Sequence, residues 1–212
     1  NLFTGVSDDS SQCFGGSNNT RGIFAGGYNN VDTIQYITIA TTGNALDFGD
    51  LGNIASATTA SATSTRLVQA GGWNTSPTPV TTLMNYVTIS TTGNSSFFGD
   101  LTVARAALTS GANATRGIFA GGYTPTAQDV IDYVTMATLG NAIDFGNIIA
   151  AKWRCGGANS PTRFCIAGGQ TPSTDNVIQY VQFSSTGDAV DFGDLSAVLQ
   201  YPGGLSNGHG GL

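Results

Sequence analysis

No glutamate occurs in this chain. All 13 acidic residues are aspartate, and they face only seven lysines and arginines and one histidine, His209. Charged residues make up 9% of the 212 positions, against about 25% in an ordinary soluble domain. With a net charge of −6 and no basic stripe, the chain lacks the footprint of a nucleic-acid partner. No apolar run approaches the roughly 20 residues that cross a bilayer as a helix, so membrane insertion is not expected. The single histidine and absent glutamate leave no repeated Ser/His/Asp set and no glutamate pair. A two-aspartate hydrolase remains chemically open, but no spacing singles out such a pair. The three cysteines form no Cys/His cluster of zinc spacing. The sequence therefore assigns no catalytic residue, metal or cofactor.

Polarity comes instead from Thr, Ser, Asn and Gln, with 30 glycines. The 40% apolar fraction is rich in Ile, Val, Phe and Tyr, which favours a packed all-β chain over a disordered one. A chain of this length buries roughly 70% of its unfolded surface.

One phrase is written four times. Thr-Arg, an apolar run and Gly-Gly begin at Thr20, Thr65, Thr115 and Thr162. A tyrosine follows in a β-like stretch (Tyr36, Tyr86, Tyr133, Tyr180), then a turn glycine (Gly43, Gly93, Gly140, Gly187). Each copy closes on Phe-Gly-Asp or Phe-Gly-Asn at Phe48, Phe98, Phe145 and Phe192. The tyrosines lie 50, 47 and 47 residues apart. A strand-rich period near 47 is the signature of a β-propeller of four-stranded antiparallel blades. The units are 1–49, 50–99, 100–146 and 147–193, with a partial fifth at 194–212, all in one propeller domain. Four complete blades plus a tail are preferred; a fifth blade, or a tail strand closing the ring on unit 1, stays open. Asn1-Leu2 matches Asp50-Leu51 and its equivalents, and no signal-peptide pattern precedes it. The chain thus reads as a segment of a longer or processed polypeptide.

In unit 3 the four strands are placed at Ala106–Ser110 (strand a), Gly117–Ala120 (b), Val130–Ala137 (c) and Ala142–Phe145 (d), joined by turn residues. Strand c, Val-Ile-Asp-Tyr-Val-Thr-Met, is apolar on both parities. That pattern fits a blade buried on both faces better than a sandwich.

Ile-Phe-Ala-Gly-Gly-Tyr at 23–28 and 118–123, with an aromatic in the following strand, resembles the kelch motif across essentially the whole chain. It departs where kelch places a tryptophan in the outer strand, since Phe-Gly-Asp/Asn stands there. More narrowly, Thr-Arg-Gly-Ile-Phe-Ala-Gly-Gly-Tyr, Asp-Tyr-Val-Thr-Met-Ala-Thr and Gly-Asn-Ala-Ile-Asp-Phe-Gly are similar to tandem repeats of virion structural proteins of tailed phages, notably marine ones. That resemblance implies a tail-fibre, appendage or capsid-surface role, at the virion surface or outside the cell. It supplies no ligand and no catalytic residue.

Arg21, Arg66, Arg116 and Arg163 recur at one blade position, as do Asp47, Asp144 and Asp191 before Phe-Gly. The arginines are either an anion- or glycan-binding ring or structural donors to a blade carboxylate or turn carbonyls. The Gly-Gly pairs lack the Lys-Ser/Thr and helix of a phosphate loop, and are read as positions of positive φ and close blade approach. Tyr28, Trp73, Asn74, Tyr123 and Gln170 open the b–c loops on one face. There aromatic rings beside amides would stack on sugars, or would pack between blades. Cys155 and Cys165 flank the a–b turn about Ser160, which leaves both a disulfide and buried thiols open. Asn-x-Ser/Thr matches at Asn18, Asn74, Asn94 and Asn113 fall in loops or turns.

The expectation is a non-enzymatic virion structural or adhesion module. Its partners would be other virion proteins or host-surface glycans, and it would sit as a homo-oligomer within a larger assembly. The alternatives are a stand-alone lectin-like propeller and a glycan-processing enzyme.

Overall fold

The computed structural model describes residues 13–27, 31–53, 55–74 and 79–204. Among them there is no helix, and the chain forms four antiparallel four-stranded sheets, one per repeat. Unit 1 comprises β1 (Phe14–Ser17), β2 (Arg21–Ala25), β3 (Thr33–Thr38) and β4 (Leu46–Asp50). Unit 2 comprises β5 (Thr59–Ala62), β6 (Arg66–Ala70), β7 (Leu83–Thr88) and β8 (Ser96–Asp100). Unit 3 is built from β9 (Thr109–Ala112), β10 (Arg116–Ala120), β13 (Val130–Thr135) and β14 (Ile143–Asn147), with a small hairpin β11 (Tyr123–Thr124) and β12 (Thr126–Ala127) in its b–c loop. Unit 4 repeats this plan with β15 (Gly156–Asn159), β16 (Arg163–Ala167), β19 (Val177–Gln182), β20 (Val190–Asp194) and the hairpin β17 (Gln170–Thr171) and β18 (Ser173–Thr174). The sheets are propeller blades. Strand a lies innermost, and β1 packs beside β5, β5 beside β9 and β9 beside β15. Strand a begins later than expected, at Thr109, because Ala107 takes a left-handed backbone with φ of 53°.

The repeated residues form one stack per blade. The guanidinium carbon of Arg21 lies 4.6 Å from the centre of the Tyr36 ring, and Tyr36 meets Phe48 edge-on at 5.9 Å. Arg66, Tyr86 and Phe98, then Arg116, Tyr133 and Phe145, then Arg163, Tyr180 and Phe192 repeat the geometry. The phenylalanine reaches the stack through a bulge. Ile34 pairs with Gly49 and Gln35 with Asp47, so Phe48 is the extra residue, and the same register shift recurs in all four blades.

The same joint links successive blades three times. Arg21 donates to the carbonyl of Ile89 (3.1 Å), Arg66 to Met136 (2.9 Å) and Arg116 to Phe183 (2.6 Å), each in the following unit. The turn glycine of the following unit donates to the bulged phenylalanine: Gly93 to Phe48, Gly140 to Phe98, Gly187 to Phe145. The next side chain accepts from the end of strand d, as in Asn94 with Asp50 N–H (3.0 Å) and Asp188 with Asn147 N–H (2.9 Å). A methyl at Gly49 or Gly146 would lie 2.5 Å from the backbone of that turn, which explains the glycine of Phe-Gly-Asp/Asn. The second glycine of the Gly-Gly pair also donates across the joint in units 2 and 3, Gly72 to Arg105 O and Gly122 to Lys152 O.

Apolar packing follows the same logic, since the three largest clusters each lie between neighbouring blades. Ile23, Phe48 and Leu67 mark the first, Phe98, Phe119 and Met136 the second, and Phe145, Phe164 and Phe183 the third. Half-joints remain at the ends. Ile39 is 52% exposed whereas its equivalents Ile89, Met136 and Phe183 are at most 2%, and Phe192 is 56% exposed against 2–3% for Phe48, Phe98 and Phe145. The tail after β20 takes the inner position of a next unit: Gly169 donates to Leu199 O, and Tyr201 donates to Arg154 O. Residues of the tail and of β1 line one axial cavity together.

Candidate functional site

The b–c loop face is organised by backbone pairing. Trp73 exchanges hydrogen bonds with Ser56, Tyr123 with Ala106 and Gln170 with Trp153, so in units 2, 3 and 4 the residue after Gly-Gly is locked onto the linker entering its own blade. Three aromatic side chains then meet across units. Trp73 and Trp153 are edge-on at 6.3 Å, and Tyr123 lies tilted against Trp153 at 4.9 Å. The tryptophans rest on a small apolar floor of Ala57, Val80, Ala106 and Ala107. All three rings are half-buried, so they pack between blades and still present surface. Asn74 donates its backbone N–H to Pro79 O at 3.2 Å. Tyr28 lies outside the described residues.

Beside this strap opens a cavity of about 610 Å³, walled by Ala57, Thr58, Ala107, Cys155, Arg154 and Tyr201, among others. Ala57, Ala107, Arg154 and Tyr201 are equivalent repeat positions, all left-handed, with φ between 51° and 62°. The reason is a hydrogen-bond chain around the axis: Ala107 N–H to Ala57 O (2.8 Å), Arg154 N–H to Ala107 O (3.0 Å) and Tyr201 N–H to Arg154 O (2.8 Å). These bonds hold a backbone region that costs non-glycine residues on the order of 1 kcal/mol or more. Deeper along the axis the walls are small residues such as Gly15, Ala60, Ser110 and Gly157.

The repeated arginines do not form an open anion ring. Arg21, Arg66 and Arg116 combine a tyrosine stack with a bond to a carbonyl of the next blade, and Arg163 keeps the stack alone. Asp47, Asp144 and Asp191 are exposed on strand d and are not their partners. Two of the sequon asparagines are turn locks: the Asn18 and Asn113 side-chain oxygens each accept from the N–H groups two and three residues on.

The Cys155–Cys165 disulfide is not formed, and both are free thiols. Ala158 pairs with Cys165, so the hairpin is centred between Pro161 and Thr162 instead of on Ser160, and this register sets the two cysteines out of alignment. Burial raises the Cys155 thiol to about 12; Lys152 pulls it down and Asp175 pushes it up by smaller amounts. At pH 8 its thiolate is then on the order of 1,000-fold scarcer than for a thiol at the usual 9.0. Iodoacetamide at pH 8 should therefore modify native Cys155 at least about a hundredfold more slowly than after unfolding, as read by peptide mass spectrometry; equal rates would refute its enclosure. The raised value also sets a sign. The native state keeps this proton longer than the unfolded one, so its contribution is full below pH 9 and is lost as pH climbs towards 12.

The sequence pattern did not single out Trp153, Arg154 or Tyr201. Trp153 stands where Ser56 and Ala106 stand, and Arg154 where Ala57 and Ala107 stand. Comparing the linker columns position by position, outside the repeated phrase, would have exposed both. Compared with protein-family models and with curated proteins, the chain matches none.

Proposed function

We propose that the chain is a non-enzymatic adhesion module of a phage virion, displayed on a fibre or capsid surface, that takes a glycan at the b–c loop face. The observation that carries this reading is the half-buried strap of Trp73, Trp153 and Tyr123 beside a cavity large enough for a saccharide. The aromatic strap beside the Gln170 amide offers both the apolar faces and the polar groups that sugar rings use. The kelch-like and virion-repeat resemblance supports the setting, and a rigid blade scaffold with unlike loops suits recognition more than turnover.

The chain contains two tryptophans, and both lie at this face. A glycan-array screen followed by tryptophan fluorescence titration tests the idea. The native chain should bind at least one glycan class with a change in emission, and Trp73→Ala should weaken that binding about tenfold or more. Binding indifferent to the substitution, or no glycan bound at all, would remove the reading.

A second reading, contact with other proteins of the particle, is favoured by the half-joints at Ile39 and Phe192.

A further inference from the structure

Within a nearly symmetric ring, asymmetry marks where a ligand would be distinguished. At the four equivalent left-handed positions the side chains are methyl, methyl, guanidinium and phenol: Ala57, Ala107, Arg154 and Tyr201. The backbone requirement is common to all four, so it does not account for the difference. Two alanines leave the cavity open on one side, and a cation with an aromatic furnishes the other.

Among the described basic residues, Arg154 is the one that lies against two aromatic rings on the wall of this cavity. Arg105 pairs with Asp132 at 2.9 Å and Lys152 with Asp175 at 2.5 Å. Arg21, Arg66 and Arg116 donate to carbonyls, and Arg163 stacks on its blade tyrosine at the open end. The Arg154 guanidinium lies 3.7 Å from the Trp153 ring centre and 4.9 Å from that of Tyr201, and it has no carboxylate partner among the described residues. Its Nη1 reaches only neutral amide oxygens, Gln170 Oε1 at 3.3 Å and Gln200 Oε1 at 3.2 Å. Its Nε is buried with no hydrogen-bond partner among the described residues, and so is Thr58 Oγ1 on the wall of the same cavity. Unsatisfied buried donors are uncommon and call for an explanation. A planar guanidinium held flat by aromatic rings, with donors left over, is prepared for a carboxylate.

We propose that Arg154 clamps the carboxylate of an acidic saccharide, of the hexuronic-acid kind, in the cavity beside the Trp153–Tyr201 pair. The inference rests on the glycan reading above and names the class of glycan. The carboxylate accepts from Arg154, Thr58 offers its hydroxyl, and the sugar ring lies towards the aromatic strap.

The test is calorimetric titration of the intact chain with an oligohexuronate, with its methyl ester and with a neutral oligohexose of equal length. The acid should bind about ten- to a hundredfold more tightly than the ester, a preference that shrinks as NaCl is raised. Arg154→Gln should bring the acid down to the level of the ester. Arg154→Lys should recover only part of the preference, because charge without the planar fork is retained. Equal binding of acid and ester would overturn the inference and leave the glycan reading standing; absence of binding to all three would overturn both. The acid–ester comparison uses only the native chain, so it decides the matter even where a variant fails to fold.

Discussion

Asp132→Ala should lower the stability of the chain by about 3–5 kcal/mol in urea denaturation, the largest effect expected of any single polar substitution here. Asp132 and Arg105 are both fully buried and lie 2.9 Å apart. Asp132 also accepts from the backbone and hydroxyl of Thr102, and Arg105 donates to Phe119 O. Burial alone pushes the Arg105 pKa down, opposed by the neighbouring carboxylate. Removing that carboxylate leaves a cation in the core with only carbonyl partners. Native stabilities lie between about 5 and 15 kcal/mol, so the loss would be a large share of the whole. The pair itself is replaceable. Unit 2 carries Ala55 and Asn85 at the same two positions, so the blade accepts a neutral solution. Arg105→Met combined with Asp132→Asn should therefore recover most of what Asp132→Ala loses. A double variant as unstable as Asp132→Ala would show that the two charges are not coupled as described.

The second large effect separates two residues that the sequence makes equivalent. Phe145→Ala should cost about 3–5 kcal/mol, because the ring is 3% exposed inside the cluster between units 3 and 4, under the Gly187 turn. Phe192→Ala should cost less than about 1 kcal/mol. That ring is 56% exposed and keeps chiefly its edge contact with Tyr180. Matched urea curves of the two variants give the comparison. Equal losses would mean that the outer edge of unit 4 is covered in solution, by a further repeat or a partner, and that its joint is complete.

The contrast between Phe145 and Phe192 shows how far the sequence could be read. Arg, Tyr, Phe and the glycines recur because every blade needs the same cation–aromatic stack, the same bulge and the same close approach. Residues that serve a repeating need leave a periodic trace. The function of Gly-Gly, as positive φ and close approach, was legible for that reason and is borne out at Gly71, Gly121 and Gly168. The partner of the repeated arginines was legible only as a choice between a blade carboxylate and a turn carbonyl. The structure selects the turn carbonyls of Ile89, Met136 and Phe183, and a backbone acceptor in the next blade leaves no side-chain signature that could have decided it. The absent Cys155–Cys165 bond has a similar cause: hairpin register depends on where the turn is centred, and a shift of a residue or two separates side chains that spacing alone would pair.

The loop face was legible only in part. Trp73, Tyr123 and Gln170 stood out because they follow Gly-Gly, and the structure brings Trp73 and Tyr123 to one another through Trp153. Gln170 reaches the group through Arg154.

The sequence by itself determined the all-β class and the four repeated four-stranded units, because these follow from local pattern repeated at a fixed period. Only the tertiary structure decided which copy of each repeated residue is buried, and which linker residues converge on the axial cavity. Those outcomes depend on what stands beside a blade and around the axis, and neighbours distant in sequence leave no periodic mark on the residues they touch.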